Sequence, residues 1–555
     1  MNSSAQLVMG VDFGTSSVRA IILDPRSGEQ VSSGEAAFTQ WDSGSYCDPG
    51  LAQFRQHPAE QMESMSTAIS AAAATAGKQA ARVAAVSIDT TGSTPCPVDG
   101  SGRPLAFLDG FRDDPDAMSI MWKDHTSQAE AEEITARART WKGKDYLQFC
   151  GGEYSAEWYW AKVLHVLRRN RKVAEAAAGW LEHCDWITAL LCGQTGLHGI
   201  ARSACAAGHK ALWNRAFGGY PAVGFFATVD TCLLPVLHSQ IEPKTSDKVA
   251  GHLDEHWARR LGLPAGIPLG VGLFDAHAGA IGAGVRPGTV VKVMGTSSSE
   301  MIVAAADSVG DRAIPGIESQ AMGSMVPGLI GIEAGQSAFG DVYAWFRDLL
   351  AWPLHLACNG NGGSVDKQLL GTLIPELSRR AELVSADKDR VDAEQLVATD
   401  WFNGRRAPFA NHTVTGSITG LTLGTKPEQI FHALVEATAF GTRAIHELLR
   451  NEGVPIERVL AVGGIPKKAP YVMQVLADVL ETPVLVSGVD NGSARGAAIL
   501  ASVVAGAYPD VESAIKVLGG IAEKEYLPRD ERLASTRKRY ERYLALGRFS
   551  EQTPK

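Results

Sequence analysis

The chain has 555 residues, 45% of them apolar and 20% charged, with a net charge of −9 at neutral pH. Those proportions describe a folded chain of several domains and exclude globally disordered, collagen-like and low-complexity proteins. The acidic balance counts against a nucleic-acid coat, no apolar run reaches the roughly 18 residues that span a bilayer, and Met1-Asn2-Ser3-Ser4 lacks the basic start and apolar core of a signal peptide, so a cytoplasmic protein is expected.

Leu7 to Leu23 reads as strand, Gly/Ser/Thr turn, strand: a β-hairpin with a hydroxyl-rich tip at Gly14-Thr15-Ser16. An Ala-rich helix is expected near residues 58 to 76, then a strand over Ala81 to Ile88. Residues 127 to 139 and 155 to 178 carry helical composition. His252 and His256, four apart, fit one face of a helix but lack the glutamate of H-E-x-x-H, so exposed polarity is the plainer reading. Pro268 to Phe274 is an apolar strand, and the small residues Ala276 to Gly284 suit a tightly packed helix start.

Thr289 to Val303 repeats the strand, Gly-Thr-Ser turn, strand pattern about half a chain later. The shared tetrapeptide alone says little. Its setting between apolar strands in both halves suggests a duplicated two-domain architecture. Residues 359 to 395 lack clear periodicity and read as a surface excursion or a small helical insert. Pro427 opens a long amphipathic helix, followed by strand Val459 to Val462, turn Gly463-Gly464, helix Ala469 to Leu480 and strand Pro483 to Val486. That alternation indicates an α/β layered domain. The last forty residues are charged and helical.

The eight cysteines include no C-x-x-C pair, so they read as packed thiols. No Walker A lysine loop is present, and Asp12-Phe13-Gly14 lacks the rest of the protein-kinase set. The two Gly-Thr-Ser turns hold more promise. Backbone amides and hydroxyls with no bulky side chain can cradle a phosphate, and Asp12 at a strand end could hold Mg²⁺. The plainer alternative is two hairpin turns, with Asp12 capping its own loop. Asp275 sits at a strand-to-helix junction, where a carboxylate could take a proton from an attacking hydroxyl or simply cap the helix.

Taken together, these segments resemble the FGGY family of carbohydrate kinases, within the actin-like ATPase superfamily. Asp12-Phe13-Gly14-Thr15-Ser16-Ser17-x-Arg19 resembles the first phosphate loop and Met294-Gly295-Thr296-Ser297 the second. Gly463-Gly464 with Gln474 and Asp478 looks like the adenosine segment, and Phe274-Asp275-Ala276-His277 the segment carrying the base. Met121 to Thr126, Gly208 to Trp213, Ile332 to Ser337 and Asp400 to Gly404 are similar to the branch that phosphorylates ribulose in arabinose degradation.

The resemblance implies an α/β chain of two RNase-H-like domains flanking a deep catalytic cleft: residues 1–284 on the sugar side and 285–555 on the nucleotide side. It implies ATP and Mg²⁺ as cofactors, with Asp12 on the metal. Gly14, Thr15, Ser16, Arg19, Gly295, Thr296, Ser297, Gly463, Gly464 and Gln474 would bind ATP. Cys96, Lys210, Asp275 and Glu333 would bind ribulose, Asp275 also acting as the base on its 5-hydroxyl. Cys96 would offer backbone and a small side chain, not a nucleophile. Trp122 would be a sugar-facing wall or core. Without the resemblance, Lys210 and Glu333 read as surface charges. Another ketopentose or pentitol, an actin-like ATPase or chaperone, and a silent sugar sensor are the competing readings. A homodimer is left open; no nucleic-acid or membrane partner is expected.

Overall fold

The computed structural model describes residues 6–237, 239–310, 312–359, 367–386 and 396–552. The first hairpin pairs β1 (Leu7–Phe13) with β2 (Ser17–Leu23), and β3 (Gln30–Ala37) extends it. Helix α1 (Pro58–Ala76) follows; His57 caps it by accepting from the Ala59 amide, and Pro58 occupies the first turn where no amide partner is needed. Strand β4 (Val83–Thr90) runs parallel to β1. Such a buried parallel pair wants apolar side chains on both faces, which the runs Leu7–Phe13 and Val83–Ile88 supply.

Further along come helix α2 (Ala204–Lys210) and strands β5 (Val249–His252), β6 (Pro268–Gly270) and β7 (Leu273–Phe274). The first sheet then reads β5-β6-β4-β1-β2-β3, with β7 beside β4. His252 closes β5, while His256 lies in the helix Glu255–Leu261 whose cap is Asp254. The two histidines therefore do not share a helix face, contrary to the reading by spacing. The expected single strand from Pro268 to Phe274 is two short ones. The expected helix over 155 to 178 is two helices, Tyr159–Arg169 and Arg171–Ala176, broken where the Asn170 side chain caps the second.

Helix α3 (Asp275–Ala283) ends this half. The second half repeats the plan. Strands β8 (Gly288–Met294) and β9 (Ser298–Ala305) form a hairpin; β10 (Ser319–Met322) and β11 (Leu329–Gln336) extend it. Of the stretch 359–395, expected to be a surface excursion or a small helical insert, residue 359 ends helix α4 (Gly340–Asn359), residues 367–386 form the helix Lys367–Ala386, and residues 360–366 and 387–395 lie outside those described. Helix α5 (Pro427–Asn451), strand β12 (Ile456–Val462), helix α6 (Pro470–Leu480) and strand β13 (Val484–Ser487) follow, β12 running parallel to β8. After α7 (Gly492–Val504) and α8 (Val511–Leu518), β14 (Ala522–Tyr526) closes a second sheet, ordered β10-β11-β9-β8-β12-β13-β14. The charged helix Asp530–Gln552 ends the described chain.

Each sheet thus contains a central strand with a hairpin partner on one side and a parallel partner on the other. The halves meet through α3 and α7. A Cβ placed on Gly496 of α7 would lie 1.8 Å from the Ala278 carbonyl oxygen of α3, so the helix backbones touch with no room for a side chain. An apolar core gathers there from both halves, with Val8, Ile281, Val291, Ala498 and Ile515 all buried. Among the described residues no helix is long and apolar enough to cross a membrane.

Candidate active site

The parallel strands of the first sheet deliver three carboxylates to one end. Asp12 of β1 is the register partner of Asp89 in β4, and Asp89 is the partner of Leu273 in β7, two residues before Asp275. Carboxyl ends of parallel strands are where open α/β sheets place their ligands. Asp89 is fully buried, and apart from its neighbour Asp12 nothing donates to either of its oxygens. Burial, then the charges of Asp12 and Asp275, hold its carboxyl well above the ordinary range. Burial likewise raises Asp12, and burial with the Asp12 charge pushes Asp275 up to about 7. Asp275 Oδ1 also accepts the Ala276 amide at 2.7 Å, so the acid opens α3.

Three acids face, among the described residues, Arg19 at 3.7 Å from Asp12 and the His277 imidazolium near Asp275, and form a set of hard oxygen donors short of positive charge. Asp89, with no donor other than Asp12 itself, adds to that shortage. The chemistry suits Mg²⁺. Arg19 is shared with Glu35 at 3.0 Å, and Ser17 donates to the same carboxylate, which fixes the strand leaving the first loop. Within that loop the Gly14 amide bonds Ser17 O, and Trp122 Nε1 donates to Thr15 Oγ1 at 3.2 Å. Trp122 is thus a tether of the loop.

Loop Gly295–Ser297 is held from three sides. Lys292 Nζ donates to Ser298 Oγ, Glu300 Oε1 and Gln336 Oε1 at 2.9, 2.8 and 3.1 Å, riveting the strands on either side of the turn. The amides of Phe339 and Gly340, at the entrance to α4, donate to the Thr296 and Gly295 carbonyls. Gly463 turns at φ 112° against Met294, where a Cβ would meet the Met294 carbonyl at 2.6 Å. Gly464 faces open space. The Gln474 side-chain nitrogen, by contrast, is committed to Asp478 at 3.0 Å and the Leu527 carbonyl at 2.9 Å, and Asp478 is clamped by Arg529.

The loop from Asp89 to Cys96 is anchored from below. Lys162 Nζ donates to the Ser93 carbonyl at 2.7 Å, Glu182 accepts from Ser93 Oγ and from the Thr94 amide, and both charges are buried. Burial pulls Lys162 down to about 8 and pushes Glu182 up to about 7. Cys96 is fully enclosed and burial pushes its thiol up to about 12, which leaves no thiolate for nucleophilic work.

Lys210 and Glu333 are not surface charges. Lys210 ends α2, Glu333 lies in β11, and Nζ meets Oε2 at 2.7 Å, the Lys210 side chain 11% and that of Glu333 8% exposed. His277 Nε2 lies 2.9 Å from the other oxygen, and Ser319 Oγ donates to Oε2 at 2.8 Å. His209 Nδ1 sits 2.6 Å from Ser319 Oγ, and burial pulls this imidazole down to about 3. Burial opposes the Glu333 charge, yet Lys210 and the imidazoles hold its carboxyl well below the usual range. Burial also opposes a charged His277, but Cys205, 2.9 Å from Nδ1, and Glu333 lift it to about 10. The ligand atoms of His209, His277 and Glu333 lie within 4.8 Å of one another, but they are already bonded and the Lys210 ammonium sits among them. That cluster does not fit a cation.

Of the residues singled out by sequence, the fold brings Asp12, Asp275, Lys210 and Glu333 to the seam between halves. It sets the two Gly-Thr-Ser loops at corresponding ends of the two sheets. Sequence reasoning missed Asp89, His277, Ser319 and Lys162. Asp89 entered only as the first residue of the segment to Cys96 that resembles a sugar-side loop, and His277 only as the last residue of the segment carrying Asp275, neither with a role of its own.

Paired sheets of this kind, with a phosphate-sized turn at the same strand end of each, define a two-lobed α/β kinase fold of the actin-like type. Residues 7–282 match the N-terminal domain, and residues 290–505 the C-terminal domain, of the FGGY family of carbohydrate kinases. The chain belongs to that family. It is 42% identical to the ribulokinase of Vibrio parahaemolyticus, over 100% of this chain and 97% of that one. It is 33% identical to the ribulokinase of Halalkalibacterium halodurans, over 98% and 94%. Among solved structures, xylulose kinase from Rhodospirillum rubrum superposes with a TM-score of 0.78 at 22% identity, covering 98% of this chain and 99% of that one. Plasmodium falciparum glycerol kinase with ADP gives 0.76 at 16%, covering 98% of each chain. The protein is a carbohydrate kinase with a small-molecule substrate, and FGGY kinases use ATP, typically with Mg²⁺.

Proposed function

We propose that this kinase transfers the γ-phosphoryl group of ATP to the 5-hydroxyl of ribulose. The observation that carries the reading is the buried Lys210–Glu333–His277 constellation beside Asp275, in a chain similar end to end to enzymes named ribulokinase. Lys210 donates to sugar oxygens and Glu333 accepts from sugar hydroxyls. Cys96 and its loop form the floor of the sugar site, on the buried Lys162–Glu182 support.

Asp275 accepts the proton of the 5-hydroxyl as that oxygen attacks the γ-phosphorus. The new O–P bond forms, the bond to the β-phosphate oxygen breaks, and ADP leaves. Phosphoryl transfer asks a protein mainly for positioning and charge stabilisation. Gly14, Thr15, Ser16 and Arg19 would face the phosphates from one lobe, and Gly295, Thr296 and Ser297 from the other. Gly463 and Gly464 would give the adenosine moiety a bare backbone surface, with Gln474 at its margin. Mg²⁺, when bound, supplies neutralisation of phosphate charge, and Asp12 would hold it. We take residues 1–284 as the sugar-side lobe and 285–555 as the nucleotide-side lobe.

The test is ADP release with Mg-ATP across L-ribulose, D-ribulose, D-xylulose, ribitol and glycerol. Strong turnover with a ribulose and little with xylulose or glycerol is expected. Turnover only with another sugar would overturn the ribulose assignment, and no sugar-stimulated release from folded protein would overturn the kinase mechanism.

A further inference from the structure

A second pocket lies away from the carboxylates, where the chain passes from one lobe to the other. Residues 284–287 link α3 of the first lobe to β8 of the second, and a cavity of about 250 Å³ opens beside this link. One wall is the link and the start of β8, another is helix α8, and the floor is Leu460 and Leu485 from neighbouring strands.

Three polar groups stand side by side on that first wall. Arg286 bridges Thr289, and Thr289 is the register partner of Arg458 in the parallel strand β12. Paired residues across a sheet present their side chains to the same face. Lys516 adds a third cation from α8, against one acid, Glu512. Among the described residues Arg286 and Lys516 have no ion-pair partner within 4.0 Å, and Arg458 has only its chain neighbour Glu457 at 3.9 Å. Thr289 lines the cavity at 4% exposure, and its hydroxyl has no hydrogen-bond partner. A buried hydroxyl without a partner costs stability, so its retention beside two guanidinium groups points to a missing acceptor.

We propose that this cavity binds a small phosphomonoester, its phosphate held by Arg286, Arg458 and Lys516 and reached by the Thr289 hydroxyl. Guanidinium groups recognise phosphate oxygens in bidentate fashion, and the hydroxyl donates to a further oxygen. The apolar floor takes the carbon skeleton. The volume falls below the roughly 300–1,000 Å³ of pockets for drug-sized ligands, which suits a single phosphorylated sugar better than a dinucleotide. Because the site spans the link between lobes, its ligand is placed to bias their relative position. The inference does not rest on the ribulose reading, since none of these residues belongs to the sugar or ATP sites.

The test is calorimetric titration of the full chain, presaturated with a non-hydrolysable ATP analogue, using ribose 5-phosphate in one arm and inorganic phosphate in the other. Saturable binding of ribose 5-phosphate is expected, tighter than that of inorganic phosphate. Affinity should fall at least about tenfold in the Arg286→Gln/Arg458→Gln double variant and severalfold in Thr289→Val. Lys516→Gln, on an exposed helix face, gives a second variant with no packing at risk and should also weaken binding. Turnover without added phosphosugar should be unchanged in all three. No saturable binding up to about 10 mM, or affinity unchanged from the parent in both Lys516→Gln and the double variant, would overturn the site. Equal affinity for the two ligands would overturn the sugar-phosphate assignment.

Discussion

His277 Nε2 lies 2.9 Å from Glu333 Oε1, and this ion pair joins the helix that starts at Asp275 to a strand of the opposite lobe. The group proposed as base and the group proposed as sugar acceptor are therefore mechanically tied. Closing the lobes on a sugar and aiming the base become one event.

His277 should accordingly act as a positioning residue for Glu333. Breaking a buried ion pair by removing one partner costs about 3–5 kcal/mol. His277→Leu should raise the ribulose KM about tenfold or more while leaving the ATP KM within about twofold. His277→Gln keeps a donor near Nε2 and should recover much of the loss. A variant that melts lower but binds ribulose normally would reduce His277 to a packing role.

The Lys210–Glu333 pair is almost wholly buried, so removing Lys210 takes from the Glu333 carboxylate one of the two cations that touch it. Lys210→Met should cost about 3–5 kcal/mol of stability, read as a lower denaturation midpoint. Adding Glu333→Gln to Lys210→Met should restore part of it, because the under-compensated carboxylate is gone and His277, no longer lifted by it, can shed its proton. A double variant less stable than Lys210→Met alone would contradict the account. Both variants should lose ribulose affinity if the pair contacts the sugar.

Much of this architecture could be read from the chain because it is local. Leu7–Phe13 and Gly288–Met294 are apolar runs that end in Gly-Thr-Ser turns, and Pro58 after His57 marks the helix 58–76 to the residue. What could not be read is long-range pairing. Lys210 and Glu333 are 123 positions apart, and nothing local marks them as partners. The histidine pair misled for a related reason. A spacing of four fits a helix, but Val249–His252 is drawn into the sheet by Pro268–Gly270, and the helix cannot start before its Asp254 cap. Asp89 looks like any polar strand end until the neighbouring strand sets Asp12 beside it.

The contact between α3 and α7 supplies a test of how the lobes are set. Glycine inside a helix normally costs about 1 kcal/mol against alanine, so Gly371→Ala, where a Cβ meets nothing within 4 Å, should stabilise slightly. Gly496→Ala should do the reverse, since its Cβ would lie 1.8 Å from a backbone oxygen that cannot rotate away. A loss beyond the usual 1–3 kcal/mol of overpacking is expected, with reduced turnover as the lobes shift. Equal melting temperatures for Gly496→Ala and the parent would show that α3 and α7 can part without cost.

Asp275 can take a proton only while ionised, so the sign of its pH dependence follows from its surroundings. Burial, then the Asp12 charge, raise its carboxyl to about 7. A cation held at Asp12 offsets that second cause and can only move the value down. Turnover should therefore be level in mild alkali and fall tenfold per pH unit below an apparent pKa at or under about 7. Asp275→Asn removes the proton acceptor at nearly constant volume. It should bind ATP and sugar, lose turnover by at least on the order of 10²-fold, and lose the acid limb as well. An Asp275→Asn variant that keeps near-parent turnover, or keeps the same acid limb, would take Asp275 out of the proton transfer and send the search to its neighbours Asp89 and Asp12.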